Sequence, residues 1–171
     1  MTDKMWDDAD ARLMSGIHAR AFDIKTQKEC CSVGVVGYSN TQYDVAEGAR
    51  ELIFAMSNMK ASLEHLHGCN RFKLVSGLTN LGIPKEAYSL AKHILGDDVI
   101  TVGFACSKAK DFPQFPVDEK HIIGDAWGDE SDAFLSSIDG LIRIGGGKQS
   151  LDEVKRFKEM YPEKPVIEYD F

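Results

Sequence analysis

The stretch LIRIGGGKQSLDEVKRF, Leu141 to Phe157, decides the fold. A short, mostly apolar run enters three consecutive glycines, passes Lys-Gln-Ser, and continues in a pattern that reads as a helix. A strand feeding a helix through a glycine turn is the building unit of parallel α/β domains. The glycines admit two readings. One is a tight turn, closed by Ser150-Leu-Asp-Glu153 as a capping box. The other is a seat for an anion, because glycine lets the backbone approach a ligand and a helix start offers unpaired N–H groups. A capping box accounts for Ser150 and Glu153 but does not require three glycines upstream. The spacing is not that of a P-loop.

The same strand–turn–helix unit recurs upstream. CCSVGVVGYSN holds an apolar run, Val33 to Val36, that ends in glycine, and DVAEGARELIFAMSNM follows at near-helical spacing. FKLVSG leads through GLTNLGIP into KEAYSLAKHILG, a helix closed by Gly96. DVITVGFA reads as a third strand, HIIG as a short fourth, GLIRIGG as the next and PVIEYDF as the last. Alternating strands and helices of this length predict a three-layer, Rossmann-like α/β single domain around a parallel central sheet. The expected organisation is an N-terminal extension over 1–30, with a short helix around Ala9 to Ile17, and the Rossmann-like domain over 31–171.

The 171 residues are enough for one domain with a sizeable core. Twenty Lys and Arg residues against 27 Asp and Glu give a formal charge of −7, which disfavours a nucleic-acid partner. A small phosphorylated ligand remains compatible, since backbone N–H groups can hold an anion without a basic surface. No apolar run approaches a bilayer span, and the acidic start MTDKMWDDADARLM is unlike a secretory signal. Cys30, Cys31, Cys69 and Cys106 lack metal-binding spacing and read as free thiols of a reducing compartment. The expectation is therefore a cytoplasmic protein with no metal, no cofactor and no membrane association.

In open α/β sheets the ligand crevice lies outside the carboxyl ends of the strands. The glycine turns and the loop Ser107 to Lys120, with Phe112, Pro113, Phe115 and Pro116, all fall there. Gly146, Gly147, Lys148, Gln149 and Ser150 form the candidate anion cradle. Gly77, Thr79 and Asn80 lie in the second turn, and Gly37, Ser39 and Asn40 in the first, where Asn40 or Thr41 would otherwise cap the helix. In GDAWGDESDAF, Trp127 is either core or a surface for stacking on a base, and Asp129 or Ser131 is a helix cap. Asp125, Asp129 and Glu130 beside Trp127 are carboxylates that could read polar groups of a base or do acid–base work. The five histidines share no motif.

Together these pieces, from Ser32 to Phe171, resemble the LOG-like, or SLOG, Rossmann proteins once called lysine decarboxylases. That group includes cytokinin-activating phosphoribohydrolases, molybdenum-cofactor carriers and nucleotide sensors. Its hydrolases carry P-G-G-x-G-T-x-x-E, onto which Gly146, Gly147, Ser150 and Glu153 fall, while Gly145 replaces the Pro and Gln149 the inner Gly. The family's Arg-Lys pair, expected on the preceding helix, is replaced by Glu130 and Ser131. The resemblance implies the Rossmann-like fold and a nucleotide or nucleotide-derived phosphorylated ligand, but the missing arginine removes the expectation of efficient hydrolysis. An N-glycosidase acting through Glu153, helped by Glu130, is the alternative. A protein-interaction or structural role is the third, since helices of this fold pair in homodimers and higher homo-oligomers.

Overall fold

The computed structural model describes residues 27–171, so the helix expected around 9–17 lies outside the described residues. Six strands form one sheet: β1 (Cys30–Gly37), β2 (Arg71–Gly77), β3 (Ile100–Ala105), β4 (Glu119–Ile122), β5 (Gly140–Ile144) and β6 (Val166–Tyr169). Four α-helices connect them: α1 (Val45–His67), α2 (Gly82–Leu95), α3 (Ser131–Ser137) and α4 (Lys148–Met160). A 3-10 turn covers Ser107–Asp111. The sheet order is β4-β3-β2-β1-β5-β6, and each neighbouring pair is parallel.

Two packed faces follow from alternation along the strands. On one face Val33 and Val35, Leu74, Ile142 and Ile144 meet Leu52, Met56, Met59 and Leu63 of α1 and Ile83, Ala87 and Ala91 of α2. On the other, Val75, Val102 and Leu141 meet Phe134 and Leu135 of α3 and Val154 and Phe157 of α4. The result is the expected three-layer, Rossmann-like α/β domain. Every residue of β5 is buried, as suits a parallel strand covered on both sides.

One charge interrupts that run. Arg143 donates from Nε to Glu168 at 2.8 Å, from Nη2 to Asp170 at 2.7 Å and from Nη1 to the Gly145 carbonyl at 3.0 Å. Burial works against its charge, and the hydrogen bonds to Glu168 and Asp170 more than offset that, so the guanidinium stays ionised. β6 is thereby tied to the glycine turn.

Several local expectations are corrected. The cap of α1 is Asp44, whose carboxylate accepts from Glu47 N, while Asn40 accepts from Gln42 N in a tighter turn upstream. The capping box at Ser150 does not form. α4 starts three residues earlier, with Gly147 as N-cap, and Ser150 Oγ donates back to the Gly147 carbonyl at 2.9 Å. Glu130, not Asp129 or Ser131, stands at the cap position of α3. Asp129 instead accepts from Asp125 N and Ala126 N, and the Ala126 and Asp125 N–H groups hold its carboxyl below the ordinary value.

Candidate functional site

The strand order reverses between β1 and β5, where Gly37 sits in register with Ile144. The chain after β1 and the chain after β5 must leave this point in opposite directions, which opens a crevice. A cavity of about 530 Å³ lies there, lined by the ends of β1 and β2, the first turn of α4 and the segment leading into α3.

The three glycines of the opening stretch divide by role. Gly145 and Gly146 have φ of +58° and +97°, conformations that side chains rarely adopt. A Cβ on Gly145 would collide with the Tyr38 ring, and one on Gly146 with Ser150 Oγ. Gly147 differs: its φ is −100° and a Cβ there would meet nothing within 4 Å. Its missing side chain leaves open space beside the cavity it lines. The α4 N-cap, a glycine, makes no side-chain hydrogen bond, so no cap side chain takes up the first-turn N–H groups of Lys148, Gln149 and Ser150. The first two glycines therefore serve the turn, and the third leaves open space at the start of α4.

Of the sequence-predicted residues, Gly37, Ser39, Gly77, Thr79, Trp127, Glu130, Gly147, Lys148, Gln149, Ser150 and Glu153 line the cavity. Asn40, Asn80 and Gly146 do not line it. Asn80 N donates to the Pro113 carbonyl at 3.0 Å and Thr79 bridges to Gln114, which pins the proline loop over the second turn. Gly77 is held by Tyr88 of α2, whose hydroxyl lies 2.9 Å from its carbonyl.

Trp127 is not core. It is 50% exposed and tilted against Phe112, with ring centroids 5.9 Å apart. With Leu81 these rings make an apolar rim to the cavity. Sequence reasoning placed Phe112 in the loop but not beside Trp127, because nothing in the local pattern pairs residues so far apart.

Two carboxylates line the same cavity. Glu130 and Glu153 are 8% and 6% exposed, and neither pairs with a cation among the described residues. Glu153 Oε1 accepts from Ser131 Oγ at 2.8 Å and from Gln149 Nε2 at 2.9 Å. Burial nevertheless pushes its carboxyl up, the two hydrogen bonds only partly opposing it. Glu130 Oε2 accepts from Gly128 N at 3.2 Å, and its Oε1 lies 3.4 Å from Gln149 Nε2. The wall is thus acidic, acceptor-rich and next to the positive end of α4. Ser131, read from the sequence as a helix cap or as the replacement of a family lysine, instead donates to Glu153.

Comparison with known proteins supports this architecture. The molybdenum cofactor binding protein from the phototrophic bacterium Rippkaea orientalis superposes with a TM-score of 0.60 at 22% identity, over 82% of this chain and 77% of that one. The chain has their fold in common with it and with TM1055, a structural-genomics target, for which the TM-score is 0.55 at 19% identity, over 80% of this chain and 72% of that one. The fold is shared. No family model matches the chain, and no curated protein does either. Among the described residues no helix is long and apolar enough to cross a membrane, and no group of three or more His, Cys, Asp or Glu side chains is arranged to hold a metal.

Proposed function

We propose that the protein binds a nucleotide or nucleotide-derived phosphorylated small molecule in the cavity at the β1/β5 switch point. The observation that carries this is Gly147, whose absent side chain no local packing demands and which opens the uncapped start of α4 to the cavity. The phosphate sits on the N–H groups of Lys148, Gln149 and Ser150, with the Lys148 ammonium nearby. A planar ring stacks on Trp127 at the rim. Thr79 and Ser39 supply further hydroxyls from the other two turns. The cofactor named for the Rippkaea orientalis neighbour belongs to the panel of ligands to be tried. Mass spectrometry of whatever small molecule co-purifies with the protein identifies the ligand. Recovery of no phosphorylated compound, together with no binding of nucleotides in calorimetry, would refute the proposal.

One observation favours a second reading. Glu153 is buried, its carboxyl pushed towards the protonated form, and it sits beside a second buried carboxylate. Such a pair suits N-glycosidic cleavage, Glu153 giving a proton to the departing base. The absence of an arginine at Glu130 ranks this below binding. Two further features belong to the same picture. Ile53 and Phe54 of α1 are 42% and 67% exposed, which supports assembly as a homodimer or larger homo-oligomer, tested by light scattering. Four free thiols support a cytoplasmic setting.

A further inference from the structure

Glu130 is a buried carboxylate that no cation among the described residues neutralises. It is more than nine-tenths buried, lines the cavity and has no cationic partner among the described residues. One oxygen is used by Gly128 N, whereas Oε1 has only the 3.4 Å approach of Gln149, long for a hydrogen bond to a carboxylate. The cavity therefore holds an acceptor that is short of donors. A carboxylate in such a place is complementary to hydroxyl or N–H groups and hostile to another anion.

Position decides which donors. Glu130 lines the same cavity as the first turn of α4 and meets that turn through the side-chain amide of Gln149. Trp127, three residues earlier, is on the exposed rim. In a nucleoside 5′-phosphate the group next to the phosphate is the sugar, and the base lies beyond it. An acidic side chain accepting from ribose hydroxyls is a general solution in dinucleotide-binding sheets, and a phosphate on those hydroxyls needs a cation instead.

We infer that Glu130 Oε1 accepts a hydrogen bond from the vicinal hydroxyls of a ribose, making the site selective for ribonucleotide-type ligands whose 2′- and 3′-hydroxyls are free. This deepens the nucleotide reading and rests on it. Gln149 then has a double task, holding Glu153 while steering Glu130 towards the sugar.

The test is calorimetry with AMP, GMP, CMP and UMP beside their 2′,3′-dideoxy counterparts, on the wild type and on Glu130→Ala. The ribonucleotide that binds best should exceed its dideoxy counterpart by at least about tenfold, the scale of a lost hydrogen bond to a charged group. In Glu130→Ala that preference should vanish, with dideoxy affinity little changed. Should the alanine variant fail a circular-dichroism melt, Glu130→Gln replaces it, and the preference should shrink there. Equal affinity for ribo and dideoxy forms in the wild type, or a preference that survives both substitutions, overturns the ribose assignment while leaving nucleotide binding intact. No binding by any of the eight compounds overturns the ribose assignment, and, if no phosphorylated compound co-purifies either, it overturns nucleotide binding as well.

Discussion

Ser131 Oγ donates to Glu153 Oε1 at 2.8 Å, joining the start of α3 to the second turn of α4 across the cavity wall. The contact spans 22 positions of sequence and gives Glu153 a partner that its own helix does not supply. It also explains why a group placed to cap a helix is turned inward instead.

Burial raises the Glu153 carboxyl above its unfolded value, so between those two values the folded state binds more protons than the unfolded chain. The stability contributed is fully present below the unfolded value and is lost as pH rises through the folded one. Glu153→Gln keeps the two acceptor contacts without the ionisation. Melting curves across that window should therefore fall with rising pH in the wild type and fall less in Glu153→Gln. Identical pH profiles would remove the assignment.

Gly147→Val and Gly145→Ala should separate ligand binding from folding. A side chain at Gly147 meets open space at an extended φ, so the valine variant should melt close to wild type while losing at least about tenfold in nucleotide affinity through steric block. Alanine at Gly145 must adopt a left-handed conformation against the Tyr38 ring, costing about 1–2 kcal/mol for the backbone alone. Calorimetry and thermal melting read both. A Gly147→Val protein with wild-type affinity would end the cradle.

Trp127→Ala should leave stability nearly unchanged, because half of the side chain is already exposed. Ligand affinity should fall by about 1–3 kcal/mol, the usual worth of one base stacked on an aromatic ring. Quenching of tryptophan fluorescence on adding nucleotide should disappear with it, leaving only the signal of Trp6.

Release of free base from nucleoside monophosphates should be slow or absent, since Glu130 and Ser131 stand where the resembling hydrolases carry Arg-Lys. A chromatographic assay over a nucleotide panel checks this. Fast turnover abolished by Glu153→Gln, in a variant shown to be folded, would place the glycosidase reading first.

The sheet was legible because its central strands are short apolar runs stopped by glycine, a pattern that only burial on both faces demands. β4 was harder. Glu119–Ile122 is an exposed edge strand, so no hydrophobic signal marks its start, and only its end was read, from HIIG. The glycine cradle was legible as composition, but which glycine serves the turn and which the ligand depends on Tyr38 and Ser150, which only the folded backbone brings close. The Ser150–Glu153 box does not form because Glu153 accepts instead from Gln149, one turn back on the same helix, and from Ser131, which the packing of α3 against α4 brings near and sequence spacing does not show. Phe112 and Trp127 meet for the same reason.

The reversal of strand order also has a consequence for how the chain acquires its shape. Strands β1 to β4 add in sequence along one edge, but β5 must return to the other side of β1, so that Ser32 N reaches Asp139 across 107 positions. Closing so long a loop makes this pairing an intrinsically slow event in folding. The cavity has no α4 wall until that event is complete. A ligand that needs the wall stabilises only the finished molecule, and refolding followed by nucleotide fluorescence should lag behind the recovery of helical signal.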